Sequence, residues 1–468
     1  MRNMIVVVIV ALVCLMAPFG PQLGLFGYYW FAIMRPDVLA WSGANNYSFY
    51  MAAVTILFAL PRILQNLPVL ITNSLCRALI LFVVTVSLSV VFAVSMDICL
   101  PQYGMFLRIV IMALILPLVL VTRRHLELMM VVISASIGLL AAKYGLAGVI
   151  AGGARFMAGY GGMLSDNNTM ALAFCLALPL CYFIRPVVSQ PWMKMGLLAC
   201  SFLSIGGVFF THSRGGVVSV MVCLLLILLK SKRRVMMGLV LLGCTGGITY
   251  LVKDTLLKRM ETVATVGSSD AESSAQSRLV LSAAAIRMWM DYPLFGVGFT
   301  EKNEQALIGK YLQGEDKAHA GKVIHNTYTQ LLADTGIFAL IIYLYLLFGT
   351  IMKMRAAGRR ARQRGDDAAA GICDAILTAL ITYAVGSTFL SRTTFDFFYM
   401  LVMTAATYLT LEQREGFFTP VVAPAPAEAS GFTTIPAMDA RPTAPVGAGP
   451  LVSPGRMRMT RPRLRPRG

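Results

Sequence analysis

Two short runs in this 468-residue chain hold side chains able to act on a charged leaving group: His325 opens HNTYTQLLADTG and Arg214 sits in THSRGG. An imidazole with an ordinary pKa near 6.5 accepts a proton from a hydroxyl at neutral pH. A guanidinium keeps its charge and presents a planar fork to phosphate oxygens. Hydropathy and charge assign both runs to one face of a membrane, so the two groups can share a site.

Each residue also has a plainer role open to it. Arg214 begins an apolar helix behind Ser213, where an interfacial arginine can snorkel to head groups; Gly215 and Gly216 would let a ligand or another backbone approach instead. His325 and Asn326 stand just before the next membrane helix, where head-group contact or capping is common. Arg278 heads SRLVLSAAAIRMWMDYPLFGVG. A loop arginine is usually solvated, but the stripe Leu279, Ala283, Ile286 and Met290 would lay this segment on the membrane surface and turn Arg278 toward Arg214. Pro293, Gly296 and Gly298 form a turn set by backbone needs, since no strand precedes them to make a phosphate cradle. His212 reads as structural, and His125 and His319 lack such company. No DxD-like carboxylate pair appears on the outer side to hold a divalent ion on a diphosphate, and Asp366-Asp367 falls inside. Neither a metal nor a cofactor is expected, and arginines would have to carry the charge of a leaving diphosphate.

The elements that must position these groups follow from composition. Mean hydropathy is +0.72 and 57% of residues are hydrophobic, in repeated runs long enough to cross about 30 Å of hydrocarbon. The runs lack two-residue alternation, which disfavours a barrel. An all-α polytopic membrane protein is expected. The net charge of +18 lies largely in short connections and the last residues, so positive-inside bias explains it and no nucleic-acid partner is expected. The nine cysteines fall mostly inside apolar runs without CxxC spacing, and read as packing residues. The N-terminal run lacks a small-residue cleavage site and reads as a first membrane segment.

Lys230-Ser231-Lys232-Arg233-Arg234 and KMRAAGRRARQR (353–364) mark the inside. About twelve membrane helices follow, near 4–24, 47–64, 77–96, 104–122, 127–145, 166–185, 194–211, 214–230, 235–252, 333–352, 371–390 and 397–412, with both termini inside. Pro18, Gly20 and Pro21 interrupt the first, leaving Leu23–Met34 open as a second short helix, a re-entrant piece or an interfacial segment. The parity puts one large polar loop, 253–330, on the outside, along with the glycine-rich Gly145–Asp166 that holds Arg155. Three regions result: N-terminal membrane helices (1–145), a membrane domain with the large loop (146–412), and a basic, Pro/Ala/Thr-rich tail (413–468) expected to be disordered and cytoplasmic.

An outer SRGG at a helix start, an arginine followed by W..YPLFGVG, and HN with TG ten residues on together resemble the O-antigen ligase and polymerase superfamily. DNNTMALAFCLALPL resembles the family's Asn-containing helix start, and Arg108, near the outer end of its helix, resembles a basic position in these enzymes. GLFGYYWFAIMRPDVLAW resembles the O-glycosylation ligases associated with exosortase systems. The resemblance implies a metal-independent transferase in the bacterial inner (cytoplasmic) membrane, with its active site facing the periplasm. It would move a glycan from an undecaprenyl diphosphate carrier to an acceptor hydroxyl on a protein, lipid or glycan. Arg214, Arg278 and Arg108 would then bind diphosphate and His325 would act as general base, with Asn326, Asn168, Ser213 and Gly215 in support. A polymerase joining lipid-linked repeat units differs only in acceptor. A solute or lipid-oligosaccharide transporter is the alternative of another class; it should carry ionisable groups at the midplane and repeated halves with broken helices.

Overall fold

The computed structural model describes residues 2–39, 46–151, 164, 166–231, 238, 243, 246 and 269–414. These form helices with no strand among the described residues, as backbone deprived of water requires. In chain order the helices used below are α1 (Arg2–Met16), α2 (Pro21–Met34), α3 (Tyr47–Asn66), α4 (Ser74–Val91), α5 (Met96–Val119), α6 (Arg123–Ile150), α7 (Asn167–Phe183), α8 (Pro191–Phe210), α9 (Arg214–Lys230), α10 (Ser269–Asp291), α11 (Glu301–Leu307), α12 (Thr327–Gln363), α13 (Asp367–Gly386) and α14 (Asp396–Gln413). Among the described residues seven are long and apolar enough to cross a membrane: α3, α4, α5, α6, α8, α12 and α13. α1 and α7 are shorter apolar helices. Leu57, Leu64, Leu139, Leu225 and Phe338 are exposed on the outer surface of the bundle, as lipid-facing side chains are.

Several expected boundaries move, and three of the shifts have a local cause. The helix over 4–24 is two helices: α1 ends at Met16, a 3-10 turn covers Ala17–Phe19, and α2 starts at Pro21. Proline suits that first position because its missing N–H would have no partner there. The helix over 104–122 begins at Met96, with Pro101 inside it, as membrane helices tolerate. The helix over 333–352 begins at Thr327, because the Asn326 side chain accepts from the amides of Tyr328 at 3.0 Å and Thr329 at 3.3 Å and so starts the helix one turn and more upstream of the apolar run. The expected helix over 235–252, apart from residues 238, 243 and 246, together with Arg155, loop residues 253–268 and tail residues 415–468, lies outside the described residues.

α6, α7 and α8 pack on one another, α7 also meets α9 and α13, and α5 packs on α14. An aromatic cluster joins α12, α13 and α14: the hydroxyls of Tyr343 and Tyr383 hydrogen-bond at 2.5 Å and Phe398 lies 4.7 and 5.1 Å from their rings. Charge collects at one end of the bundle. There Arg123 pairs with Asp366 at 2.6 Å, Arg360 with Glu412 at 2.6 Å, and Arg362 with Asp374 at 2.8 Å. α7, α9 and α13 run from that end to the one that holds His325.

Candidate active site

His325 occupies the left-handed region at φ 55, an unusual setting for a residue with a side chain, which costs about 1–2 kcal/mol. The connection between α13 and α14 holds it there. The His325 amide donates to Ser391 Oγ at 2.7 Å, the Thr327 hydroxyl donates to the Leu390 carbonyl, and the Arg392 amide donates to Thr327 Oγ1 at 3.3 Å. The imidazole lines a cavity of about 420 Å³ with Ser277, Arg278, Leu281 and Lys322, and makes no hydrogen bond among the described residues. Burial lowers its pKa; the charge of Arg278 lowers it further and Asp166 opposes them. The ring is therefore the free base at neutral pH, the form that can take a proton.

Arg278 reaches the cavity from α10. Leu281, Ala284, Ala285 and Met288 bury one face of that helix against Val297, Ile308, Ile324 and Ala333. The stripe of Leu279, Ala283, Ile286 and Met290 remains exposed, free to face lipid head groups. Arg278 Nε is enclosed and makes no hydrogen bond among the described residues, an unsatisfied donor beside an open cavity. Burial and then the charge of Arg214 depress its pKa. Two guanidiniums held within mutual influence favour an anion between them.

Arg214 is the first residue of α9 and is exposed. Ser213 caps the helix: its Oγ accepts from the Gly216 amide at 3.2 Å and donates to Asn168 Oδ1 at 2.7 Å. Gly215 serves packing, since a Cβ there would stand 2.6 Å from the Cβ of Phe389. Asn168 belongs to the first turn of α7, whose cap is Asp166, accepting from the Asn168 and Thr169 amides at 2.9 and 3.0 Å. Asp166 also pairs with Arg392 at 2.7 Å. Burial works against the Asp166 charge, but hydrogen bonds from Arg392 and Thr169 outweigh it and hold the pKa below the usual range. The caps of α7 and α9 thus join those two helices, and Arg392 ties α12 to α7 by bonding Thr327 through its amide and Asp166 through its guanidinium.

The GVG and DTG runs lock the large loop to α12. Gly336, at φ 76 and ψ −175, breaks helical geometry and frees the carbonyls of Ala333 and Asp334. The loop takes them: Val297 N–H donates to Ala333 and Gly298 N–H to Asp334, each at 2.9 Å, while Ile337 N–H donates to Pro293 at 3.0 Å. Gly296, at φ 68, sits so close that a Cβ would lie 2.3 Å from the Asp334 carbonyl carbon. The turn at Pro293–Gly298 is a backbone device, as expected from its glycines.

Arg108 departs from expectation. With α5 starting at Met96, it stands in the middle of that 24-residue helix, exposed, and does not line the His325 cavity. An arginine followed by apolar residues resembles a helix end only if the helix starts beyond Pro101, and this one starts before it.

Sequence reading missed the supporting charges. Arg392 lies in the connection between α13 and α14, which the charge parity already assigned to the His325 side. Asp166 carried a capping signature, an Asp before Asn-Asn-Thr. Glu301 and Glu304 gave no signal, since ordinary loop glutamates look the same. Glu304 is buried and Glu301 half-buried behind the site, where desolvation raises both pKa values; Glu301 also feels Arg392 and Asp166. Gln330 and Asp334 are fully buried, and their side-chain polar atoms make no hydrogen bond among the described residues. Among the described residues no three His, Cys, Asp or Glu side chains form a metal-binding group.

Residues 1–188 match a family of unknown function (DUF5935). No curated protein matches the chain. Residues 199–344, which include Arg214, Arg278, His325 and the Gly336 break, match the O-Antigen ligase family, so this part of the chain is similar to membrane enzymes of the ligase or polymerase type.

Proposed function

We propose that the chain is a glycan transferase acting on a diphosphate-linked donor, and the observation that carries this is Arg278, whose enclosed Nε lacks a partner in the same cavity as the neutral His325 imidazole. His325 takes the proton of an acceptor hydroxyl as its oxygen bonds to the anomeric carbon. The bond from that carbon to the diphosphate breaks, and the electron pair leaves with the carrier diphosphate. Arg278 and Arg214 stabilise that charge, which makes the reaction independent of a divalent ion. Asn326, Asn168, Ser213 and Gly215 hold the helix ends in place. Arg108 has no part in this reading.

The donor is an undecaprenyl-diphosphate-linked glycan, reached from the periplasmic face of the bacterial inner membrane; the acceptor is a protein, lipid or glycan hydroxyl. The match to O-Antigen ligase over the residues of the cavity supports this chemistry. The run GLFGYYWFAIMRPDVLAW supports membership of the exosortase-associated O-glycosylation ligases.

The purified chain given lipid-linked donor and acceptor in excess chelator should transfer glycan. Arg214→Lys keeps the charge but loses the fork, and transfer should fall about tenfold or more with the protein still folded. Strict dependence on a divalent ion, or full activity in Arg214→Lys, would remove the arginines as the main counter-charge. The side of the membrane has its own test. Lys310 is exposed on the large loop, and Lys310→Cys should react with an impermeant thiol reagent in cells whose outer membrane alone is opened. Labelling only after the inner membrane is broken would put the site on the cytoplasmic side.

A further inference from the structure

Three helices that run from the His325 end of the bundle to the opposite end enclose another cavity there. α7 descends from its Asp166 cap to Phe183 and α9 from Arg214 to Lys230, while α13 begins there at Asp367. Seventeen residues in α7, at about 1.5 Å each, separate the two ends by about 25 Å. The far cavity is open, measures about 530 Å³, and takes its charged lining from Arg185, Lys194, Lys230, Arg362, Asp367 and Asp374. Four cations face two carboxylates there, an excess of two positive charges.

Asp374 is already engaged. Its Oδ1 accepts from Lys230 and its Oδ2 from Arg362 at 2.8 Å. Arg185 is held by its own turn: Nε donates to the Tyr182 carbonyl at 2.7 Å, and the guanidinium carbon lies 4.2 Å from the centre of the Tyr182 ring. Its Nη atoms make no hydrogen bond or ion pair among the described residues, and neither does Nζ of the exposed Lys194. A pre-set guanidinium fork beside an ammonium suits phosphate oxygens. Tyr182, Phe183 and Pro186 supply an apolar wall next to them. Such a pocket where apolar helices end and basic residues gather lies at head-group level.

The geometry points to a binding site for the phosphate head group of a membrane lipid, its phosphate on Arg185 and Lys194 and its glycerol and first methylenes against Tyr182 and Phe183. A free phosphate ion shares the first half of that chemistry and makes no use of the apolar wall. The site is distinct from the transfer site in residues and in position, and does not depend on what His325 does.

The full chain in mild detergent, titrated with phosphatidylglycerol and read by native mass spectrometry, should retain the lipid. Arg185→Gln/Lys194→Gln should retain it about tenfold less tightly, a change of about 1.4 kcal/mol. Lys194→Glu, at an exposed position that leaves packing alone, should weaken retention in the same direction. Equal retention by wild type and variants would overturn the site. Displacement of the lipid by millimolar inorganic phosphate would overturn the lipid and assign the cavity to the free ion. His325→Ala should retain the lipid as wild type does; loss of retention there would overturn the separation of the two sites.

Discussion

His325→Ala will transfer glycan about 10²–10⁴-fold more slowly than wild type while still binding the lipid-linked donor, the usual share of a general base. The arginines remain in that variant, so donor capture and turnover separate. The same ring fixes the acid limb of the pH profile. Only the free base can take the acceptor's proton, so transfer should fall as pH drops through the imidazole pKa, below the ordinary value near 6.5. Arg278 is one cause of that depression and Asp166 opposes it. Arg278→Gln should therefore move the acid limb to higher pH in the residual activity, and Asp166→Asn should move it to lower pH. Limbs that shift the same way, or a His325→Ala enzyme with normal turnover, would take the base role away from this residue.

Gly336→Ala will undo the loop from α12. The backbone there, at φ 76 and ψ −175, lies in a region open essentially to glycine alone, at a cost of about 1–3 kcal/mol for another residue. A Cβ would also meet the Leu294 carbonyl oxygen at 2.1 Å, a clash with backbone that no rotamer can relieve. The penalty falls on the hydrogen bonds that hold Val297, Gly298 and Ile337 and hence on the placement of Arg278. The apparent unfolding midpoint should drop by several degrees and transfer should be lost with it. Gly104→Ala is the control, since nothing lies within 4 Å of a Cβ there and alanine favours the helix interior. Equal midpoints for the two variants would mean that the break at Gly336 does not hold the loop.

The parts legible in the sequence are those that lipid dictates. Uninterrupted apolar runs require helices, and the basic clusters at 230–234 and 353–364 separate the charged end from the end that holds His325. That charge pattern is enough to group His325, Arg214 and Arg278 at one end of the bundle. Capping is only partly legible: Asn326 starts α12 well before its apolar run does, and Asp166 is masked by the more conspicuous Asn168. The helix that carries Arg108 shows the opposite failure, a boundary inferred from a proline that the helix absorbs. Interior charges are illegible. Nothing local distinguishes Glu304 or Gln330 from a solvated loop residue, because tertiary packing alone buries them.

α9 turns Val218, Met221, Leu225 and Leu229 outward between Arg214 and Lys230. Even upright, at about 1.5 Å per residue, the two cations stand about 24 Å apart, against roughly 30 Å of hydrocarbon. Hydrophobic mismatch of that size draws the bilayer thinner around the helix or tilts the long cations outward. On the function proposed above, thinning here would bring the head-group plane toward Arg214, so that a lipid-linked donor stays in the membrane while its diphosphate meets the guanidiniums.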